Sequence, residues 1–241
     1  MVGASAGIGR ALAIEYDSRG YRLLLASRDM AALETLCALI GPKAIALHCD
    51  ATSISDWRAL AAKAEELFGK IDLLIVNSGV SIPNTMSDFS AENVIKTFDV
   101  NTFGLARAFE VFVPVFRKMG GGTIASVGSL ADCRGIPCSG TYNASKAALS
   151  QLLESARIEL RGEGIRVVTV KPGFVRTAMT SGHKYKMPFI IGPERAAKII
   201  ADGIGRGQNR VYFPAIMALA AWAARAMPDG LYEWVSRRWK G

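Results

Sequence analysis

A tyrosine and a lysine placed four residues apart, Tyr142 and Lys146, have the clearest potential for chemistry in this sequence. Residues i and i+4 share one face of a helix, so the Lys146 ammonium would lie beside the Tyr142 phenol. A free phenol has a pKa of about 10, and a nearby positive charge moves that value toward neutrality. Such a tyrosine can donate a proton to a carbonyl oxygen or remove one from an alcohol. Because this spacing is common by chance, the pair alone is weak evidence.

A glycine-rich turn follows directly on the first two residues, with glycines at positions 3, 7 and 9. Glycines let a backbone approach a pyrophosphate closely, and the N-terminus of a following helix stabilises the negative charge. The spacing differs from the Gly-x-Gly-x-x-Gly fingerprint, and turns of small residues are common, so this motif is also weak alone. It predicts that a dinucleotide cofactor contacts Gly3, Ser5, Ala6, Gly7, Ile8 and Gly9.

The end of the next predicted strand, Ser27-Arg28, indicates NADP rather than NAD as the cofactor. An acidic residue about 20 residues after the glycine turn would hold a ribose 2′-hydroxyl, whereas an arginine accommodates a 2′-phosphate. The forked, permanently charged guanidinium of Arg28 suits a phosphate, and Ser27 can add a hydroxyl donor. The alternative is that Arg28 is only a surface arginine. Asp29 is predicted to cap the following helix.

Two further strand ends carry small or polar residues that suit the same cofactor. Asp50 and Ala51 follow the third predicted strand, and the Asp50 carboxylate could accept the adenine amino group or cap the next helix. Asn77-Ser78-Gly79 ends the fourth strand, where small side chains let the backbone pass beside a cofactor. The carboxyl ends of parallel strands are where such ligands bind in open α/β sheets.

The elements that position these residues follow an alternating pattern of short apolar runs and longer amphipathic stretches. Strands separated by helix-length segments predict a parallel sheet, and nearly all-apolar strands predict helices on both of its faces. We therefore expect one α/β domain over residues 1–241 with a Rossmann-like, doubly wound sheet and extra C-terminal helices. Predicted strands span 21–27, 44–49, 73–77, 123–127, 166–171 and 211–213; predicted helices lie near 9–19, 30–40, 55–68, 91–119, 142–161 and 193–205.

The strand that should precede the glycine turn is truncated or missing, because only Met1-Val2 stand before Gly3. The turn needs a strand in front of it to aim its backbone amides at a phosphate. A gap between central strands would leave backbone groups unpaired, at about 1–3 kcal/mol for each buried group. The sequence favours a start that lies further upstream over a sheet that lacks its central strand.

Taken in order and with their spacing, these motifs resemble the short-chain dehydrogenase/reductase family over Val2 to about Thr177. The matching segments are Gly3–Gly9, Asp50, Asn77-Ser78-Gly79, Asn101 within Val100-Asn101-Thr102, Ser129, the Tyr142/Lys146 pair, and Pro172-Gly173. Three supporting positions depart from the family pattern, namely Val2, Val76 and Ser78. All of the proton-handling residues are present, so the resemblance implies intact chemistry.

The resemblance implies a role for each catalytic residue. Ser129 would bond the substrate oxygen, and the thirteen-residue interval to Tyr142 selects it over Ser126. Tyr142 would transfer the proton, while Lys146 would lower the pKa of that tyrosine and hold the nicotinamide ribose. Asn101 would shape a helix and hold a water in a proton relay, although it could instead be a helix-breaking cap. The cofactor would also contact Tyr142, Lys146, Pro172, Gly173, Val175 and Thr177, with Thr177 on the nicotinamide carboxamide.

The substrate pocket is expected between the segment after Ser129, residues 130–141, and a lid formed by residues 178–191. Met179, Met187 and Phe189 in the lid indicate an apolar substrate body. Lys184 and Lys186 could attract an anionic group, which would favour a 3-oxoacyl-thioester reductase, although solvated lid lysines are the simpler interpretation. The lone His183 is not expected to be a ligand. The leading prediction is an NADPH-dependent enzyme that interconverts a carbonyl and an alcohol.

The composition indicates which classes of partner and which compartment to expect. The net charge is +8 and the pI about 9.5, but basic residues are spread along the chain, which indicates a solvated surface and an anionic cofactor rather than nucleic acid. Four cysteines without metal-ligand spacing fit free thiols in the cytoplasm, and no metal site is expected. We find no signal peptide pattern. The resemblance implies a homodimer or homotetramer that pairs helices spanning roughly 91–119 and 142–161.

The C-terminal extension, residues 215–241, is unusual. Tryptophans at 222, 234 and 239 lie among basic residues, and from Arg206 to Gly241 there are six basic and two acidic residues. Such a helix can lie on an anionic membrane surface. The favoured alternative is a helix docked over the substrate pocket or at a subunit interface. A third hypothesis is a non-catalytic NADP-binding protein or membrane-surface adaptor.

Overall fold

A computed structural model describes residues 1–181 and 187–237 of the chain. In these ranges, strands and helices alternate as the sequence predicts. The strands are β1 Leu23–Ser27, β2 Ala44–His48, β3 Leu73–Val76, β4 Gly122–Val127, β5 Ile165–Pro172 and β6 Arg210–Phe213. The helices are α1 Gly7–Ser18, α2 Met30–Ile40, α3 Ile54–Phe68, α4 Ala91–Phe98, α5 Gly104–Lys118, α6 Gly140–Glu159, α7 Ala178–Ser181, α8 Pro193–Gly205, α9 Ala215–Ala226 and α10 Asp229–Ser236.

All strand pairings between these elements are parallel. β1 pairs with β2, while β3, β4, β5 and β6 pair in that order, with Leu23 opposite Ala44 and Ile124 opposite Val167 in the register. Parallel strands joined by helices place all their carboxyl ends at one edge of the sheet. That edge is where the sequence places the candidate site.

A short stub at the start of the chain joins the two groups of strands. Val2 lies between β1 and β3 and forms parallel bridges with Ala26 and Val76. Its backbone N–H donates to Ile75 O at 2.9 Å, and its carbonyl accepts from Asn77 N at 2.9 Å. The first strand is thus short rather than missing, and this stub continues the hydrogen-bond ladder across the centre of the sheet.

Two apolar cores cover the two faces of the sheet, which confirms the doubly wound fold. On one face, α1, α2 and α8 contribute Leu12, Leu33 and Ile200. On the other, α3, α5 and α6 contribute side chains that include Trp57 and Phe112, whose rings meet edge to face at 6.2 Å. Strands buried on both faces need no polar alternation, which accounts for their continuous apolar sequences.

One predicted helix is interrupted. The pattern over residues 91–119 predicts a single helix, whereas the structure contains α4, a π-helical segment Asp99–Phe103, and α5. A π turn inserts one extra residue into the helical ladder, and such turns often occur at functional sites. Here the π turn contains Asn101, and apolar periodicity could not reveal it, because the amphipathic faces continue on both sides.

Two helices, α9 and α10, follow β6 and confirm the predicted extra C-terminal helices. None of their residues is fully buried, so they lie on the surface of the domain rather than inside it. Across residues 1–181 and 187–237, no helix has the length and apolar character needed to cross a membrane.

Candidate active site

A cleft of about 470 Å³ opens at the carboxyl edge of the sheet. It is lined by every residue that the sequence assigned to the site except two, Gly9 and Asn101. Those two lie directly behind its wall, where they support the residues that face the cleft. Strands β1 to β5 and the stub thus bring into one cavity residues that span Gly3 to Thr177 in the sequence.

The glycine turn forms the floor of the cleft at the N-terminus of α1. Gly3 and Gly7 have φ values of 79° and 53°, a region that side chains rarely adopt. A Cβ on Gly9 would lie 1.9 Å from Gly3 O, so the turn and the helix pack too closely for any side chain. Asn77 Nδ2 also donates to Gly3 O at 2.8 Å and fixes the turn against the strand edge.

The N-terminus of α1 is left open to the cleft. Its N-cap residue, Ala6, makes no side-chain capping hydrogen bond, and the first turn contains no acidic residue. The first backbone N–H groups of a helix need a partner, and with the helix dipole they favour an anion. This geometry fits the pyrophosphate of a dinucleotide, which would supply both the missing acceptor and the negative charge.

Arg28 and Asp50 face each other at the far end of the cleft. Arg28 Nη1 lies 3.9 Å from Asp50 Oδ2, and the arginine side chain is 64% exposed. Burial disfavours the ionised Asp50 carboxylate, but the Thr52 N–H and hydroxyl and the Arg28 charge outweigh it, so the pKa of Asp50 is lowered. The exposed guanidinium is therefore free to reach a second anion beside Asp50.

The remaining residues at this end have local roles. Asp29 accepts from Ala32 N at 3.0 Å and caps α2, as the sequence predicts. Ser27 Oγ is bonded to the Asp29 backbone, so its hydroxyl already has partners before any ligand binds. The capping alternative for Asp50 is wrong, because Ser53, which the sequence analysis missed, caps α3.

Tyr142 and Lys146 lie on the first turns of α6, with Lys146 Nζ 5.9 Å from the centre of the Tyr142 ring. The lysine side chain is only 4% exposed, and its ammonium donates to Val127 O at 2.9 Å. Burial lowers the pKa of Lys146 to about 8, and the charge of Asp132 opposes that shift. The structure thus brings together the cation and the phenol that the sequence pairs.

Ser129 follows β4 and lines the same cleft as Tyr142. Its Oγ accepts from Ala131 N at 3.1 Å, which holds the side chain at the start of a short 3-10 helix, Leu130–Cys133. The competing Ser126 is fully buried inside β4, and its Oγ has no hydrogen-bond partner among the described residues. The placement therefore agrees with the choice of Ser129 from the spacing to Tyr142.

Asn101 holds the loop after β3 against α6. Its Oδ1 accepts from Val80 N at 2.8 Å, and its Nδ2 donates to Val80 O and to Ser145 Oγ at 2.9 and 3.0 Å. A Cβ on Gly79 would lie 3.3 Å from Lys146 Nζ and 3.4 Å from Asn101 Oδ1. The Asn101 side chain therefore positions the surroundings of Lys146 rather than lining the cleft.

Pro172, Gly173, Val175 and Thr177 line the opposite wall of the cleft. Thr177 packs beside the glycine turn, since a Cβ on Gly7 would lie 2.9 Å from Thr177 Cγ2. Beyond it, α7 begins the predicted lid, and Val175 pairs with Ile191 at the base of that lid. His183, Lys184 and Lys186 lie outside the described residues, as do positions 182, 185 and 238–241, among them Trp239.

The segment after Ser129 is attached to the C-terminal helices through Arg134. Its Nη1 donates to Met227 O at 2.6 Å, its guanidinium stacks on the Tyr232 ring at 4.2 Å, and the Tyr232 hydroxyl donates to Gly135 O. Helix α9 also packs on Gly173, where a Cβ would lie 2.6 Å from Met217 Sδ. The C-terminal helices thus pack against the Gly173 wall of the cleft and against the segment after Ser129.

A family model with the description "short chain dehydrogenase" matches residues 1–187. The chain belongs to the short chain dehydrogenase family. Two curated relatives share about a third of their residues with it. An uncharacterized oxidoreductase of Myxococcus xanthus is 33% identical over 99% of this chain and 95% of its own length. The ketoacyl reductase HetN of a Nostoc species is 30% identical over 85% of this chain and 74% of its own.

Two solved family structures superpose on most of the chain. A short chain dehydrogenase/reductase from Burkholderia phymatum in complex with NAD has a TM-score of 0.83 and 27% identity, covering 91% of this chain and 89% of that one. A short chain dehydrogenase from Burkholderia cenocepacia in complex with NADP has a TM-score of 0.84 and 26% identity, covering 96% and 94%. The chain is thus an oxidoreductase of this family with a Rossmann-like sheet.

Proposed function

We propose that the protein is an NADP-dependent oxidoreductase that interconverts a carbonyl and an alcohol on a substrate with an apolar body. The observation that supports this most is that one cleft contains an uncapped helix N-terminus, the Arg28 guanidinium, and the Ser129, Tyr142 and Lys146 side chains. The nicotinamide of a bound cofactor would supply or accept the hydride. The chain itself supplies binding, orientation and a proton.

In the reductive direction, Ser129 Oγ donates a hydrogen bond to the substrate carbonyl oxygen and orients it. Tyr142 donates its phenolic proton to the same oxygen as the carbonyl carbon becomes an alcohol carbon. The Lys146 ammonium stabilises the phenolate left behind, because two opposite charges in a buried site attract strongly. In the oxidative direction, the tyrosinate removes the hydroxyl proton.

The cofactor preference rests on Arg28. A 2′-phosphate placed beside this exposed guanidinium would form charge-assisted hydrogen bonds, and the neighbouring Asp50 is close enough to orient the fork. No acidic side chain follows β1 at the position of Arg28, where a ribose 2′-hydroxyl would need one. Both points favour NADP over NAD.

Replacing Arg28 with Ala is expected to raise the Kd for NADPH about 10-fold and to leave the Kd for NADH nearly unchanged. The reason is that only NADPH has the 2′-phosphate that the guanidinium contacts. Fluorescence titration of both cofactors measures the change. Arg58→Ala is the matched control, because Arg58 is equally exposed but pairs with Glu110 on α5. Equal weakening of both cofactors would contradict the NADP preference.

The reaction itself is tested by following NADPH oxidation with a panel of ketones, aldehydes and 3-oxoacyl thioesters. Turnover of apolar ketones supports the proposal, whereas turnover of thioesters alone would indicate the 3-oxoacyl-thioester reductase alternative. A third outcome is tight NADPH binding with no reduction of any carbonyl and no oxidation of any alcohol with NADP. That outcome would favour the non-catalytic cofactor-binding protein.

We further propose a cytoplasmic homodimer or homotetramer. All four cysteines are unpaired, which suits a reducing compartment. Exposed apolar side chains on the helices that the family resemblance pairs, namely Ile95, Phe103, Leu152 and Ile158, support pairing through this face. Leu149, Leu153 and Leu160 on the same stretch are buried in the core and are therefore unavailable for it.

The C-terminal helices support a second role, contact with an anionic membrane surface. The face of α9 that points away from the domain contains Ile216, Leu219 and Trp222, and α10 adds Leu231 and Trp234. All five are at least half exposed. Exposed tryptophans beside arginines are typical of helices that lie in the headgroup region of a bilayer. Arg225 on α9 and Arg237 directly after α10 place basic side chains near these tryptophans.

Membrane contact predicts that the protein sediments with vesicles that contain anionic lipid and not with neutral ones. A Leu219→Glu/Trp222→Glu double variant should lose most of this binding, because it places two carboxylates in the apolar face. Leu39→Glu is the control, because Leu39 on α2 is as exposed as Leu219 and belongs to neither proposed surface. If Leu219→Glu/Trp222→Glu instead lowers the solution mass measured by light scattering, the face is a subunit contact and the membrane role is wrong.

A further inference from the structure

Asp132 is a buried carboxylate that the proposed reaction does not use. It lies three residues after Ser129 in the short 3-10 helix, and its side chain is 6% exposed. Its Oδ2 accepts from Lys171 Nζ at 2.6 Å and from the hydroxyl of Ser150. Removing a carboxylate from water costs several kcal/mol, and a buried pair of this kind is weak evidence for stability alone. Its position between the elements that hold the site is therefore the more informative property.

The three residues of this cluster belong to three elements that hold the candidate site. Asp132 follows Ser129, Ser150 lies one helical turn after Lys146 on α6, and Lys171 directly precedes Pro172 at the end of β5. One carboxylate thus connects the serine segment, the helix with the tyrosine and lysine, and the strand that leads to Thr177. Charge-assisted hydrogen bonds of this kind restrict geometry more than neutral ones do.

We propose that Asp132 is a positioning residue of the active site, which holds the Ser129 segment against α6 and β5 through Ser150 and Lys171 and supplies the negative charge that keeps the buried Lys146 cationic. This inference rests on the proposed function for its catalytic consequence only. The placement and the charge of the cluster are properties of the chain alone.

The electrostatic part follows from the surroundings of Lys146. Burial favours its neutral form and lowers its pKa to about 8, and Asp132 is the ionisable group that opposes this. Three other titratable groups lie near the cluster. Lys171 pairs with Asp132, and the ring of Tyr212 lies under the Lys171 ammonium. The pKa of Cys133 is raised, first by burial and second by the charge of Asp132. Removing the carboxylate removes the charge that favours the Lys146 ammonium.

The test compares two variants of opposite charge. Asp132→Asn should move the titration midpoint of Lys146 downward, because burial is then unopposed. Lys171→Gln should move the midpoint upward, because Asp132 then acts on Lys146 without a competing cation. A merely structural loosening would move both midpoints in the same direction, toward that of an exposed lysine. The Lys146 midpoint of the double variant, which lacks both charges, should lie close to that of the wild type.

The midpoints are measured by NMR titration of protein with isotope-labelled lysine side chains, with Lys146 assigned from a Lys146→Met variant. Far-ultraviolet circular dichroism first establishes which variants fold. If Asp132→Asn alone does not fold, the Lys146 midpoint of Lys171→Gln is compared with that of the double variant. These two proteins differ only by the Asp132 charge, so their comparison tests the proposal in its place. Glu163→Gln is the control, because Glu163 pairs with Arg117 at the surface. Coinciding Lys146 midpoints in the variants that fold would overturn the proposal.

The catalytic consequence is read separately from the pH profile of kcat. The alkaline limb should follow the Lys146 midpoint, moving to lower pH in Asp132→Asn, because Tyr142 loses its cationic neighbour as Lys146 deprotonates. If the NMR midpoints move and the wild type reduces no carbonyl, the proposed function fails and the role of Asp132 stands. If the wild type turns over and the midpoints coincide, the role of Asp132 fails and the proposed function stands.

Discussion

Tyr142→Phe is expected to lower NADPH-dependent turnover by about 10²–10⁴-fold, the usual contribution of a positioned general acid. Phenylalanine keeps the ring but removes the hydroxyl, so the carbonyl oxygen has no proton donor when the hydride is transferred. Lys146 remains in place through its hydrogen bond to Val127 O, so the cofactor side of the cleft keeps its shape. We therefore expect the Kd for NADPH to change little.

Single-turnover absorbance of the reduced cofactor measures the chemical step, and fluorescence titration measures binding. Tyr21→Phe is the matched control, because Tyr21 is half exposed and packs edge to face on Tyr16 away from the cleft. Full activity of Tyr142→Phe would show that another group transfers the proton. Loss of cofactor binding together with activity would show that the hydroxyl serves the cofactor rather than the substrate.

Gly9→Ala is expected to abolish high-affinity NADPH binding and to destabilise the fold by about 1–3 kcal/mol, as overpacking in a tight interior does. The added Cβ would lie 1.9 Å from Gly3 O and 2.7 Å from Asn77 Nδ2, and the first of these is backbone that cannot rotate away. Relief of the clash must move the glycine turn or α1. Either movement displaces the backbone N–H groups that face the cofactor phosphates.

Thermal unfolding and fluorescence titration of NADPH measure the two effects. Gly205→Ala is the control, because Gly205 is also a helical glycine, the last residue of α8, but a Cβ there meets nothing within 4 Å. Alanine is the better helix former, so this variant should unfold at the same temperature as the wild type or slightly higher. Unchanged NADPH affinity in a folded Gly9→Ala protein would show that the phosphates bind elsewhere.

Much of the candidate site could be predicted from local sequence. The Tyr142 and Lys146 pairing depends only on helical periodicity, and the glycine turn depends on φ values that few other residues adopt, so both can be recognised without a structure. Asp29 capping α2 is equally local, because the capping bond spans three residues. The alternation of strands and helices was predicted for the same reason, since each element is specified by its own periodicity.

Other features needed the tertiary structure. The π turn lies between α4 and α5, and it contains Asn101. The Asn101 side chain bonds Val80 and Ser145, which are distant in sequence, so these contacts could not be predicted from a local pattern. The Asp132–Lys171 pair joins residues 39 positions apart, and an acid three residues after Ser129 was the only sequence signal that could have indicated it. The Arg134 contacts with α10 likewise join elements that no periodicity connects.

The doubly wound parallel sheet could be predicted from short-range periodicity, and the order and spacing of the motifs indicated the family resemblance and the residues available for proton transfer. How these residues are held depends on the tertiary structure. The packing places the Met1–Gly3 stub between β1 and β3. It also buries Lys146, which lowers the pKa of that lysine to about 8, and the charge of Asp132 opposes this lowering. Burial and long-range charge contacts depend on which elements pack together, and a linear pattern does not contain that information.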